Sequence, residues 1–195
     1  MHSDRADYDE IGAGAGLPCG TLWSAIHNIP EYHLSRTGEI NLADFRSAVV
    51  RRLAEQLGAP AAEATIQRVE ALYHQTDPLR PVMRELLATL RKKHVRLGLL
   101  SNAPKGTAAK AKASGLSAMF DAAVFTGDVG VAKPDLAAFQ LVARKLHTLP
   151  ERCLFVDDVP EYVDAAIVLG MRGHVYHWTR HHELEAVLRE VRLLD

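Results

Sequence analysis

The feature that most limits the fold of this chain is a change of pattern at about Asp77. Beyond it, amphipathic segments alternate with short apolar runs. "RPVMRELLATLRKKH" reads as a helix and "VRLGLLSN" as a strand that stops on polar residues. "KGTAAKAKASG" is a helix closed by Gly115, and "DAAVFTGDVGVAKPD" a short strand, a glycine loop and then Pro134 at a helix start. "LAAFQLVARKLH", "CLFVDD", "PEYVDAAIVLG", "HVYHW" and "HELEAVLREV" continue the alternation to the end. Strand–helix alternation predicts right-handed βαβ units and a parallel sheet, so residues 76–195 read as a Rossmann-like α/β core.

Residues 12–75 read differently, as helices throughout. "INLADFRSAVVRRLAEQLG" has Asn41 as N-cap and Gly58 as C-terminal stop. Within it Leu42, Phe45, Val49, Leu53 and Leu57 recur every three or four residues as one apolar stripe. "APAAEATIQRVEALYHQ" repeats the pattern through Ile66, Val69 and Leu72. A small helical subdomain placed before an α/β core is the expected organisation.

Bulk properties exclude several classes of function. The chain has 195 residues, one ordinary domain or one with an insertion, enough to bury a core without disulfides or metal staples. A formal net charge of -1 offers no global basic field for nucleic acid and no polybasic run for anionic lipid. No apolar run approaches the roughly 18 residues that cross a bilayer, and the opening "MHSDRADYDE" does not read as a signal peptide. The two cysteines, Cys19 and Cys153, are far apart and form no Cys-x-x-Cys pair, which fits reduced thiols in a cytoplasmic protein.

Ligands of parallel sheets bind at the C-terminal ends of the strands, so the residues just after each strand carry the most information. Ser101 and Asn102 follow "LGLL", Lys133 follows the "GDVGVA" loop, and Asp157 and Asp158 follow "LFV". Taken singly, each is ordinary turn or helix-entry chemistry. Together along one sheet edge, a hydroxyl, an amide, an ammonium and two carboxylates suit a phosphoryl group with a divalent cation. Ser101 can donate to a phosphate oxygen, Lys133 can neutralise charge, and the carboxylates can hold Mg²⁺.

The ordered segments "LLSN", "VGVAKPDLAAF" and "CLFVDDVPEYVDAAIVLGM" resemble the haloacid dehalogenase superfamily of hydrolases, and most of all its phosphatase-like members with a small helical cap. The resemblance runs from about Gly16 to the end. It implies that Ser101, Asn102 and Lys133 bind phosphate, that Lys133 also organises the nucleophile, and that Asp157 and Asp158 bind Mg²⁺. It implies a small phosphorylated metabolite as substrate and a cap over residues 12–75 that selects the leaving group. The family's first motif is a strand followed by Asp-x-Asp-Gly, whose first aspartate attacks phosphorus and whose second is general acid/base. No such strand occurs in this sequence. "DYDEI" matches Asp-x-Asp through Asp7 and Asp9, but the residues before it cannot make a buried strand and Glu10 stands in place of the glycine. Asp7 is thus a weak candidate nucleophile, read first as a solvated helix start.

The missing strand would lie between those ending in Ser101 and Asp157, so these must pair directly or leave a gap to be filled, for instance in a homodimer. Two expectations stand side by side. One is a Mg²⁺-dependent phosphomonoesterase whose true start lies upstream, leaving the chain as given impaired or inactive. The other is a non-catalytic relative that binds a phosphorylated ligand or a protein partner. A haloacid dehalogenase is less favoured, because it needs no metal and both Asp157 and Asp158 are present.

Elsewhere, "HVYHWTRHH" gathers His174, His177, His181 and His182, read as surface histidines with divergent directions rather than a metal site. Trp23, His27, Tyr32, His33 and Arg36 could line a pocket, with Arg36 meeting a second anionic group on a substrate. Solvated surface is the favoured reading there.

Overall fold

Asn41 shows how local chemistry sets the helical half. In the computed structural model, which describes residues 5–75 and 79–195 (without the side chains of 73–75), its side-chain oxygen accepts the Asp44 N–H at 2.9 Å. That bond satisfies one of the orphan donors at the start of a helix, which runs Leu42–Leu57. Gly58 ends this helix at φ 77°, a left-handed value that only glycine adopts freely. It is the fourth of five helices: α1 (Arg5–Gly14), α2 (Thr21–His27), α3 (Pro30–Thr37), α4 (Leu42–Leu57) and α5 (Ala59–Gln75). Phe45, Val49 and Leu53 of the α4 stripe are buried with Tyr8, Leu22, Ile26, Ile66 and Val69. Leu42, at the end of that stripe, is 40% exposed. Arg46 joins α4 to α5 through Glu63 and Glu70.

The remaining residues alternate helix and strand: α6 (Pro81–Lys92), β1 (Gly98–Ser101), α7 (Thr107–Ala113), β2 (Ala122–Phe125), α8 (Leu136–Lys145), β3 (Leu154–Asp157), α9 (Pro160–Val168), β4 (Arg172–Val175) and α10 (His181–Glu190). The α8 helix begins at Leu136 rather than Pro134, because the Asp135 side chain caps it by accepting the Ala137 N–H. Every pairing is parallel, as the alternation predicts. One face of the strands packs on α8 and α9 through Leu100, Val124, Phe139, Val142 and Ala166. The other packs on α6 and α10 through Leu86, Leu90, Leu97, Leu184 and Leu188.

The strands do not form one sheet. β1 pairs with β2 and β3 with β4, and no ladder joins β1 to β3 among the described residues. Of the two outcomes expected at the gap, direct pairing of β1 with β3 is absent among the described residues. Ladder bonds alternate sides along a parallel strand. The Ala122 N–H donates to the Leu97 carbonyl, and the Arg172 and Tyr176 N–H groups donate to the Cys153 and Asp157 carbonyls. Gly98 and Leu100 on β1, and Leu154 and Val156 on β3, consequently turn their backbone groups toward each other's side. All four residues of β3 are only half-buried, although strands inside parallel sheets are ordinarily covered completely.

Candidate functional site

Ser101 and Asp157 are the last residues of β1 and β3, so both stand at the C-terminal edge. The loops after β1 and β2 are bound to each other by backbone. The Gly127 N–H donates to the Ala103 carbonyl at 2.9 Å, and the fully buried Thr126 hydroxyl accepts the Ala103 N–H at 3.2 Å. A Cβ at Gly127 would overlap the Ala103 oxygen and the Pro104 carbonyl carbon, so this approach requires glycine.

Asn102 makes a second clamp. Its Oδ1 accepts the Lys133 N–H at 2.9 Å, and its Nδ2 donates to the Lys133 carbonyl, also at 2.9 Å. A side-chain amide thus imitates a strand partner and fixes the Lys133 backbone after the glycine loop. Lys133 then turns inward and its Nζ donates to Asp157 Oδ2 at 2.5 Å. The Lys133 side chain is buried and that of Asp157 nearly so, at 7% and 11% exposure. The ammonium also lies 4.9 Å from the Tyr162 ring centroid and 5.7 Å from that of Phe155. Aromatic faces attract a partly desolvated cation, so three groups fix where this charge sits.

Asp157 has a second duty. Its Oδ1 accepts the Val159 N–H at 3.0 Å, the local turn that an aspartate makes with its own backbone two residues on. That turn delivers Val159 as the N-cap and Pro160 as the first residue of α9. Asp158 follows it, exposed at the same edge. Ser101, the residue before Asn102, is half-buried at the end of β1, and no hydrogen bond of its hydroxyl is found among the described residues. Asn102, Lys133 and Asp157 therefore come together, with Ser101 and Asp158 adjoining them in the chain.

Mg²⁺ takes one or two carboxylates and fills its shell with water and phosphate oxygens. Asp157 and Asp158 supply that donor type. Among the described residues no group of three or more His, Cys, Asp or Glu is placed to hold an ion. The donor set thus fits Mg²⁺ shared with a phosphate, rather than a cage made by protein alone.

Several other sequence candidates lie apart. Asp7 is in the first turn of α1, a helix in the bundle and not a strand end. Asp9 accepts the Gly20 N–H at 2.6 Å and the Cys19 thiol at 3.2 Å, and these bonds hold its carboxyl below the usual range. Three of the four histidines have separate surroundings. His181 meets the Tyr176 hydroxyl and Glu185, His177 meets Thr179, and His174 has a buried Nε2 without a partner. Trp23 stacks on His27 at 3.8 Å with Tyr8 edge-on, which is bundle packing. His27 and His33 also border an open groove of about 640 Å³.

Sequence reading did not single out Tyr162, Phe155 or Thr126. Tyr162 accepts a hydrogen bond from Asn102 Nδ2 at 3.3 Å, and burial followed by the nearby Tyr32 pushes its phenol up. The one available signal was its place in the first turn after the double aspartate.

A family model described as haloacid dehalogenase-like hydrolase matches residues 8–170. A phosphatase, MT3486, from Mycobacterium tuberculosis is 28% identical over 137 residues, covering 69% of this chain and 60% of that protein. A phosphoserine phosphatase from Thermus thermophilus is 31% identical over 133 residues, covering 66% and 53%. The chain thus spans somewhat over half the length of these relatives. Among solved structures, a HAD family enzyme from Bacteroides thetaiotaomicron in complex with magnesium and inorganic phosphate has the same fold. Its TM-score is 0.63 at 17% identity, covering 93% of this chain and 91% of that one.

Proposed function

The chain belongs to the haloacid dehalogenase-like hydrolases, and on that premise we propose that its strand ends form the phosphate-binding part of a phosphomonoesterase site for a small metabolite. The observation that carries this reading is the buried Lys133–Asp157 pair held in place by the Asn102 clamp. A lysine ammonium on three supports, beside an unengaged serine hydroxyl, is a preorganised receptor for a phosphoryl oxygen. On this reading Ser101 donates to one phosphoryl oxygen and Lys133 offsets the charge of another. Asp157 and Asp158 would hold Mg²⁺, which when bound draws charge from the phosphoryl oxygens.

Hydrolysis also needs a carboxylate nucleophile in line with the leaving oxygen. Among the described residues the strand ends offer Asp157 and Asp158, which this reading gives to Mg²⁺, and Asp128, which accepts the Gly106 N–H at 2.9 Å. The chain as given is therefore proposed to bind phosphate esters without turning them over. The open edges of β1 and β3 favour this binding reading over an intact hydrolase. The test is a pair of measurements on the purified chain with Mg²⁺. Inorganic phosphate is expected to raise the melting temperature, and an aryl phosphate is expected to release no phenol. Turnover that disappears in Asp7→Asn would instead make Asp7 the nucleophile.

A further inference from the structure

The two half-sheets face each other across a gap with defined walls. Gly98 and Leu100 of β1, and Leu154 and Val156 of β3, turn their N–H and C=O groups toward it. Those groups have no hydrogen-bond partner among the described residues, and no ladder joins β1 to β3 there. Gly98 is exposed and all of β3 is only half-buried, although helices pack on both faces of these strands. Unpaired backbone groups beside apolar cover carry a desolvation cost, and a row of them is a template for another strand.

The same helices cover both walls. α8 meets β1 where a Cβ at Gly98 would press on Leu146 and Val142, and it meets β3 through Phe139, whose ring lies 5.0 Å from that of Phe155. On the opposite face Leu97, just before β1, shares one apolar cluster with Leu154 and Val156 of β3 and with α6 and α10. A helix is about 10 Å across, and two strand spacings come to roughly 9.6 Å. One helix is thus broad enough to cover both walls of a gap one strand wide. Each wall is 4 residues long.

We propose that the gap is a docking slot for one extended apolar segment of another polypeptide, which pairs with β1 on one side and β3 on the other and completes a single sheet. Strand addition of this kind draws affinity from main-chain bonds and specificity from the side-chain surroundings. Apolar helices cover both faces, so the segment that fits is apolar at successive positions, rich in valine, isoleucine or leucine, rather than alternating. A second copy of this chain does not supply it from its described strands. A strand in the slot needs both edges free, and each of β1 to β4 already has one edge paired. Nothing here depends on the phosphate reading, because the strand edges and not Lys133 make the slot.

Hydrogen exchange of the full chain, followed amide by amide, tests the slot with an acetylated and amidated peptide whose Val-Ile-Val-Ile centre is flanked by lysines. The control is the same peptide N-methylated at alternate central residues, which removes its donors to one wall and crowds the acceptors there. The first peptide should slow exchange of the Gly98, Leu100, Leu154 and Val156 amides about tenfold. It should slow those of Leu99 and Phe155, which already face β2 or β4, by less. The melting temperature should rise with peptide concentration, and the methylated peptide should produce neither effect. Unchanged exchange at the four slot amides, or equal slowing by the methylated peptide, would overturn the inference. Slowing that grows with the concentration of the chain alone would make a second copy the occupant, and would overturn it too.

Discussion

At the residue scale, the strand-end site turns on Lys133 and Asp157. A buried ion pair is costly to break from one side, because the remaining charge is stranded, whereas replacing both partners by apolar groups can be neutral. Lys133→Ala should therefore destabilise the chain by about 3 kcal/mol, read from the denaturant midpoint. The double change Lys133→Met with Asp157→Leu should recover most of that loss. Tyr162 gives a prediction in alkali. Its phenol is pushed above the ordinary value of 10.0, chiefly by burial. The unfolded chain then loses this proton first as pH rises, so stability is full below about pH 10 and declines above it. Tyr162→Phe should reduce that alkaline decline, and phenolate absorbance should show one tyrosine titrating late. The strand-end residues were legible because an apolar run that stops on Ser-Asn or Asp-Asp is visible in one dimension. Tyr162 was not. It looks like an ordinary helical residue, and its significance comes from its contacts with Asn102 and Lys133, 60 and 29 residues earlier in the sequence.

At the element scale, the caps and close approaches decide. Asn41→Ala should cost about 1 kcal/mol, the usual loss of an N-cap side chain, measured by chemical denaturation. Gly38→Ala should cost at least as much, since it forces a left-handed residue and overlaps the Gly127 carbonyl. The α4 stripe and its two caps were readable from periodicity and residue type. The α8 boundary was displaced because Lys133-Pro134 resembles a helix entry, while Asp135 holds the capping bond. The contact between α3 and the loop after β2 had no sequence signal, because two glycines say only that some backbone comes close.

For the whole molecule, the informative feature is the division into two parallel half-sheets. Alternation of helix and strand predicted the parallel topology, and the want of a strand before residue 12 predicted the gap. Neither could say whether β1 and β3 would close on each other. They do not, because α8 and α9 already fix both half-sheets from one face through Val142, Phe139 and Ala166. Hydrogen exchange should record this arrangement. Amides of Gly98, Leu100, Leu154 and Val156 should exchange faster than those of Leu99, Ser101, Phe155 and Asp157, which face β2 or β4. Uniform protection across both sets in the monomeric chain would mean that the edges are covered.

The proposal that joins these scales is that Lys133, beside a Mg²⁺ held by Asp157 and Asp158, binds phosphate. Calorimetric titration of inorganic phosphate with Mg²⁺ into the wild-type chain and the Lys133→Met, Asp157→Leu double variant tests it most directly. The account predicts one binding site in the wild type and none in a double variant that remains folded. Equal binding by both proteins, or no binding by a folded wild type, would contradict it.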